Sequence, residues 1–360
     1  MEIRYELLPK DQQKSPMKDE TRLGFGQIRT NHMFLADYRG GEWHDPRIVP
    51  YGPFSLMPGA MCLHYSQAIF EGAKAFRHPD GEVRIFRYDK NISRFNLSAE
   101  TLCMPEMPED LHWEAILRLL DVEREWCPSI PASSLYIRPF MFASQDSLGV
   151  KPSAEYLFCI MVSPSGPYYP GGFSQAVSLL VSKKYHRAAP GGTGAAKTGG
   201  NYAASLRPCE VAHAAGCAQV LYLDVNNTMI EEAGSMNHFH VLKDGTFIIP
   251  EFDDCILTSI TSSSVLELAA AGVLKARQEV VPLEGFLEGI RSGEIIECGG
   301  FGTAAVISPV GRYVFENGDS IMVGDGTPGK HSTNLYNLYS SFQSGQKEAP
   351  MGWMRHVPHF

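Results

Sequence analysis

Short, largely apolar runs bounded by glycine and proline turns mark strands along the first part of the chain. Residues 33–38 (Met33-Phe34-Leu35-Ala36-Asp37-Tyr38) and 83–86 (Val83-Arg84-Ile85-Phe86) have strand character, with Arg39-Gly40-Gly41 and Pro79-Asp80-Gly81 as turns beside them. Asp89 opens a short predicted helix bearing Arg94. The pattern then changes: Trp113, Ile116, Leu117 and Leu120 fall at helical spacing and predict a helix over 111–126, with Asp110 as N-cap after Pro108. Residues 136–140 and 156–162 return to strand. Residues 163–172, rich in Ser, Pro, Gly and Tyr, interrupt both patterns and predict a linker over 164–174 between domains 1–163 and 175–360. Beyond it come a strand over 176–182, a glycine-rich segment around Lys197, a helical segment from Ala203 that Pro208 disturbs, and a strand over 218–224. Asn226-Asn227 turns the chain into a strand over 229–232, and Asp244-Gly245 turns a further hairpin. Helices from Ser262 through Ala271 and over 333–342 complete the pattern, and neither repeats nor low-complexity tails interrupt it.

A chain of 360 residues exceeds a usual single domain, which supports the two-domain reading. With 44% hydrophobic and 20% charged residues it reads as a soluble globular protein, and no uninterrupted apolar run suits a bilayer. Residues 1–20 mix acids and lysines without an apolar core, so neither a secretory signal nor a transit peptide is expected and the cytoplasm is the default location. The net charge of −9 disfavours general nucleic-acid or anionic-membrane binding, and an anionic ligand would need a local cationic patch. The eight cysteines are dispersed without a C-x-x-C pair and read as reduced small hydrophobes.

One stretch stands apart from this ordinary pattern. In residues 190–202 five glycines (Gly191, Gly192, Gly194, Gly199, Gly200) surround Lys197, a composition that gives no burial and implies close backbone approach to something small. Two chemistries want such a lysine. Gly191 to Thr198 misses a phosphate-binding P-loop only by Ala196 where the second glycine belongs, although Gly199-Gly200 would weaken the helix that must follow. The other is a Schiff-base lysine that condenses with an aldehyde such as pyridoxal phosphate. A flexible surface loop with a solvated lysine is the third reading.

Lys197-Thr198-Gly199-Gly200-Asn201-Tyr202 followed by Glu231-Glu232-Ala233-Gly234-Ser235-Met236-Asn237 resembles the lysine and glutamate motifs of the branched-chain amino-acid aminotransferases, class IV enzymes of fold-type IV. The resemblance extends from about Gly24 to the C-terminal helix. It implies a two-domain α/β fold with α+β character: a smaller N-terminal α/β domain and a larger C-terminal domain with a mixed sheet or barrel-like core. It also implies pyridoxal 5'-phosphate as cofactor, leucine, isoleucine and valine as amino donors, 2-oxoglutarate or glutamate as partner substrate, and a homodimer with sites near the subunit interface. No metal is implied.

By the same resemblance Lys197 is the catalytic lysine, Glu232 meets the pyridine nitrogen and Tyr202 the phenolic oxygen. On a strand Glu231 and Glu232 point to opposite faces, so only one can reach the ring. Arg94, Ile260, Thr261 and Thr303 are implied at the phosphate, where a helix N-terminus favours an anion. Thr303 and Ala304, with Tyr65, are implied at the substrate carboxylate, and Phe70 and Val150 at an apolar pocket. Tyr136 and Arg138, two apart on a strand, share a face and can converge on a second carboxylate. Ser259 and Ser262 depart from the family's usual glycine and arginine, and Ala305 and Ser308 stand where some members carry a redox cysteine pair. D-amino-acid aminotransferases and aminodeoxychorismate lyases share the lysine and glutamate features and are the alternative within the fold.

Two further motifs compete for attention. Residues 300–305 match a dinucleotide fingerprint ending in alanine, but Val306-Ile307-Ser308-Pro309 continues as strand or turn rather than helix. His238 and His240 sit two apart on a strand and lack the third ligand of a metal site.

Overall fold

The computed structural model describes residues 1–166, 173 and 175–360. It resolves into two compact units, each built on a nine-stranded sheet. The first holds the described residues up to 166 together with 196–199 and 340–360, and the second holds 173, 175–195 and 200–339. The units therefore differ from a single cut near residue 170, because two distant segments join the first by backbone pairing. Strand Met354–His356 pairs with Val83–Phe86, and Thr198 bridges to Ile69. Most of the expected linker lies outside the described residues, but its first two residues are strand, which corrects that boundary. Pro164 and Ser165 pair with Leu135 and Ser134. Proline is tolerated there because the neighbouring strand on the other side ends its pairing at Ile160, leaving one edge open.

The sheet of the first unit contains β1 (Arg4–Tyr5), β2 (His32–Arg39), β3 (Glu42–Pro50), β4 (Ala68–Phe70), β5 (Ala73–Arg77), β6 (Val83–Phe86), β7 (Ser134–Ala143) and β8 (Tyr156–Ser165), with the C-terminal strand at its far edge. Helix α1 (Met61–Tyr65) is short. Helices α2 (Tyr88–Thr101) and α3 (Glu109–Val122) pack on the sheet, burying Ile92, Phe95, Ile116 and Leu120 against Phe34, Ile137 and Phe158. Each such side chain contributes about 1.5–3 kcal/mol when fully buried. Helix α2 is a full 14 residues, longer than its sequence predicts. Helix α3 begins two residues before the predicted start; Pro108 occupies the N-cap without a side-chain bond, and Asp110 lies in the first turn, where the helix dipole favours its charge.

The second unit carries β9 (Val177–Val181), β10 (Gln219–Leu223), β11 (Ile230–Ala233), β12 (Met236–Leu242), β13 (Phe247–Pro250), β14 (Ala276–Glu279), β15 (Ile295–Gly302), β16 (Val306–Phe315) and β17 (Ser320–Met322). Six of these, in the order β11-β10-β9-β16-β15-β12, close into a barrel through the β11–β12 pairing. Leu179, Leu221, Ile295 and Val310 form its apolar core together with Phe286 and Leu287 of α6 (Leu283–Ser292). Helices α4 (Gly199–Ala214), α5 (Ile260–Ala270) and α7 (Lys330–Gln343) complete the unit's elements, although the last residues of α7 group with the first unit. The strand after the dinucleotide-like motif is β16, joined to β15 by the turn Thr303-Ala304-Ala305, so the helix such a motif requires is missing there. His238 and His240 are buried against Phe286, and Nε2 of His238 meets the Tyr313 hydroxyl at 3.0 Å. Burial holds both imidazoles well below their usual range, as neutral packing groups. Among the described residues no helix is long and apolar enough to cross a membrane.

Strand β11 sets two adjacent carboxylates in opposite environments. Glu232 is met by several donors, whereas Oε2 of Glu231 is buried with no hydrogen-bond partner among the described residues. Burial, with Asp253, Asp224 and Glu232 adding like charge and Arg187 opposing, pushes the Glu231 carboxyl up to about 7. A folded-state value above the unfolded one means the native protein binds the extra proton, so this contribution is fully present in acid and is lost as pH rises from about 4.5 through about 7. Glu231→Gln is expected to raise the melting temperature at about pH 8 by roughly 2–4 °C per kcal/mol regained and to change it little at about pH 5. Thermal melts across that range check it, and an equal shift at both values would refute the assignment.

Candidate active site

In the first unit the lysine is positioned by its main chain. Residues 68–77 run along β7 as a strand broken at Glu71-Gly72, with β4 on one stretch of β7, β5 on another, and the Glu71 N–H donating to the Pro139 carbonyl between them at 2.8 Å. The lysine segment lies on the other edge of β4. The Phe70 N–H donates to the Lys197 carbonyl at 3.0 Å, Thr198 Oγ1 donates to the Ala68 carbonyl at 2.8 Å, and the Lys197 N–H donates to Ser98 Oγ of α2 at 2.9 Å. Lys197 Nζ then stands 4.8 Å from the Phe70 ring centroid, within cation–π range. The segment meets β4 through a single bridge, from Thr198 to Ile69, and α4 begins at Gly199, four residues earlier than the sequence predicts.

Only some of the glycines act as expected. A Cβ on Gly194 would lie 2.6 Å from the backbone of Asp254 and Cys255, so this glycine admits the chain's own loop rather than a ligand. Gly199 and Gly200 face open space. Close approach is required instead at Gly72, where a Cβ would lie 2.3 Å from the Tyr136 hydroxyl.

That hydroxyl accepts from Arg138 Nη2 at 2.8 Å, and the Arg138 guanidinium lies 4.8 Å from the Phe70 ring centroid. Tyr136, Arg138, Phe70 and Lys197 are thus brought together. Arg138 Nε is buried and meets no acceptor among the described residues, the kind of unpaired donor that costs about 1–3 kcal/mol until an acceptor arrives. Arg94 is buried on α2, and its Nε and Nη2 donate to the two oxygens of Glu71 at 2.6 and 2.8 Å. Tyr65 and Val150 lie elsewhere in this unit. The Tyr65 hydroxyl donates to the Leu148 carbonyl, and Val150 is 85% exposed.

In the second unit Glu232 is the centre of a buried polar network. This carboxylate is 2% exposed: Oε1 accepts from the Leu257 N–H at 2.8 Å and from Asn237 Nδ2 at 3.3 Å, and Oε2 pairs with Arg187 Nε at 3.0 Å. Asn237 links it to α5, since its Oδ1 accepts from the Ser259 N–H at 3.2 Å and from Ser262 Oγ at 2.9 Å. The two departures from the family pattern therefore have structural work: Ser259 caps α5 by accepting from the Ser262 N–H, and Ser262 holds Asn237. The N–H groups of Ile260 and Thr261 precede the first intrahelical bond, from Ser263 to Ser259, so they stand at the anion-favouring end of the helix. Glu232, Asn237 and Phe301 lie in one row across three strands, and the turn bearing Thr303 and Ala304 follows just beyond Phe301. Tyr202 is partly buried in the first turn of α4.

Sequence reading misses Glu71, Ser98 and Arg187, which hold Arg94, Lys197 and Glu232. None stands in a motif of its own; adjacency of Glu71 to Phe70 was the one available signal. Among the described residues Glu231, Asp253 and Cys255 place donor atoms within 4.8 Å of one another. Arg187 acts on Glu231 there, and burial first of all pushes the Cys255 thiol up to about 12, so the set is a poor cation receiver.

Comparison with known proteins gives a consistent answer. The sequence model of the class IV amino-transferases matches residues 68–311. Branched-chain-amino-acid transaminase 1 of Bacillus subtilis is 43% identical, over 93% of this chain and 94% of its own. The branched-chain-amino-acid aminotransferase of Mycobacterium tuberculosis is 41% identical, over 96% and 94%. Among solved structures, the Escherichia coli branched-chain amino acid aminotransferase superposes with a TM-score of 0.76 at 27% identity, covering 91% of this chain and 99% of that one. The T.th. enzyme of the same name, solved with pyridoxamine 5'-phosphate, gives 0.75 at 25% identity, over 92% and 100%. With a strand-held lysine, a buried carboxylate and near full-length likeness all in agreement, the chain belongs to the class IV aminotransferases, in their branched-chain-amino-acid group.

Proposed function

We propose that this protein transfers the amino group of leucine, isoleucine or valine reversibly to 2-oxoglutarate in two half-reactions, with pyridoxal 5'-phosphate as cofactor. The observation that carries the reading is Lys197, fixed by its backbone to β4 and α2 with its amine beside Phe70. The residues present fit the cofactor. Glu232 is a buried carboxylate fixed by its own hydrogen bonds, and the N-terminal N–H groups of α5 suit a phosphate.

When bound, the cofactor supplies an aldehyde for amine capture and a ring that withdraws electrons. Lys197 would offer the amine that holds it, and the same amine, when free, would move the substrate's α-carbon proton as base and then acid. Glu232 would meet the ring nitrogen and Tyr202 the phenolic oxygen, and Arg94, Thr303 and the amides of Ile260 and Thr261 would hold the phosphate. The amides at Thr303 and Ala304, with Tyr65, receive the substrate carboxylate. Arg138 and Tyr136 receive the second carboxylate of glutamate, which gives the buried Arg138 Nε its acceptor.

The reading extends to assembly. Residues 57–65 and 144–150 are joined by the Ala60–Asp146 bridge and the Tyr65–Leu148 bond, and they expose Met57, Leu63, Leu148 and Val150. A patch of this kind marks an interaction surface, and we assign it to a second copy in a homodimer, where Tyr65 and Val150 serve the substrate pocket. The location is cytoplasmic.

Lys197→Ala is expected to lower turnover by about a thousand-fold or more with cofactor still bound, measured as leucine-dependent formation of 4-methyl-2-oxopentanoate. Substantial residual activity would sink the assignment, and turnover of D-alanine in place of leucine would move the protein to the D-amino-acid alternative. Arg138→Met should raise KM for 2-oxoglutarate by roughly ten- to a hundred-fold while leaving the leucine half-reaction within a few-fold. Equal damage to both would contradict a role at the second carboxylate. Sedimentation should find a dimer, and a strictly monomeric active enzyme would refute the assigned patch.

A further inference from the structure

Glu71 is the one fully buried carboxylate among the first unit's candidate site residues, and its partners are unusually complete. It is 0% exposed. Its Oε1 accepts from Arg94 Nε at 2.6 Å; its Oε2 accepts from Arg94 Nη2 at 2.8 Å, Asn91 Nδ2 at 2.8 Å and the Gly72 N–H at 3.0 Å. The two parallel bonds to Arg94 form the two-pronged pairing that fixes the plane of a guanidinium as well as its position. The carboxylate is itself fixed, because it sits at the break between β4 and β5, where the Glu71 N–H is tied to Pro139 and the Gly72 carbonyl accepts from Asn91. The neighbouring residue on one side is Phe70, whose N–H holds Lys197, and the Lys197 amine lies over the Phe70 ring.

Burial alone would push the Glu71 carboxyl up; the Arg94 guanidinium, with Lys197 and Asn91 adding to it, outweighs burial and holds the carboxyl below the usual carboxylate range. The charged and titratable groups that act on it are Arg94 of α2, Lys197 on the paired segment, and Tyr88 at the start of α2, whose hydroxyl burial and the Glu71 charge push up. Arg138 is the other cation at the Phe70 ring.

From this geometry we infer that Glu71 is a positioning residue for the transfer reaction: it orients Arg94 toward the cofactor phosphate and places one fixed negative charge beside Lys197. Two of the guanidinium's nitrogens are committed to Glu71, and the plane they fix is presented to the anion without the entropy cost of ordering a mobile side chain on binding. The same charge favours the protonated form of the lysine–cofactor link, the form that a substrate amine attacks most readily. The inference rests on the cofactor reading above.

The test uses the full-length enzyme, stripped of cofactor and titrated with pyridoxal 5'-phosphate, for the native protein, Glu71→Gln and Glu71→Asp. Two quantities are read: the dissociation constant and the pH midpoint of the visible band. Glu71→Gln is expected to weaken binding about ten-fold or more and to move the midpoint down, since removing a negative charge disfavours the protonated link. Glu71→Asp keeps the charge while loosening the geometry, so it should weaken binding to an intermediate degree and leave the midpoint near that of the native protein; it also serves if the glutamine variant does not fold. In an Arg94→Met background, where Glu71 loses the guanidinium that keeps its carboxyl ionised, both effects of Glu71→Gln should largely vanish. A native protein without a visible band overturns the cofactor reading itself. A native band with unchanged affinity and midpoint in Glu71→Gln, or equal midpoint shifts in the aspartate and glutamine variants, overturns the role of Glu71 alone.

Discussion

The candidate site depends on a backbone constraint more than on any side chain: Lys197-Thr198 is hydrogen-bonded to the edge of Ala68–Phe70. A lysine on a flexible glycine loop has its amine distributed over many positions, and ordering its long side chain is costly. Fixing the main chain at both the carbonyl and the N–H removes the backbone share of that freedom before any ligand arrives. This is why residues 196–199 belong by contact to the first unit although their sequence neighbours on both sides belong to the second.

Three buried glutamates show how environment rather than residue type assigns chemistry. Glu232 accepts from the Leu257 N–H and pairs with Arg187, so both of its oxygens are met. Glu71 is held by Arg94 and Asn91 and is an anion. Glu231, one residue from Glu232 and on the opposite face of the strand, has an oxygen with no donor among the described residues, and burial with the like charges around it pushes its carboxyl up to about 7. The penalty for leaving a buried carboxylate without donors decides among these outcomes.

The Ser259 and Ser262 positions show the same logic at a helix end. In place of the family's more usual residues, one serine caps α5 and the other secures Asn237, which in turn touches Glu232. The helix terminus and the carboxylate are thereby one hydrogen-bonded assembly, so a change at either serine reaches Glu232 through Asn237.

Local pattern was enough for most elements: the 3.6 period over Leu111 to Leu120 and the largely apolar run Val83–Phe86 are properties of neighbouring residues, and the motifs around Lys197 and Glu232 carried the family and its chemistry. What the sequence could not supply were relations between distant residues. Broken strand 68–77, the pairing of Thr198 with Ile69 across more than a hundred positions, and the choice of Glu71 and Arg187 as counter-ions all rest on contacts that leave no periodic trace. The glycines illustrate the limit: composition marked the loop as special, but only packing shows that Gly194 makes room for the loop at Asp254 and Cys255 while Gly72, outside that loop, clears the Tyr136 hydroxyl. Sequence by itself determined the elements, the family and the reactive residue types, because those depend on local propensity and motif. Tertiary structure decided which carboxylate is paired, which is protonated and where the lysine is held, because burial and hydrogen-bond partners exist only once remote segments have been brought into contact.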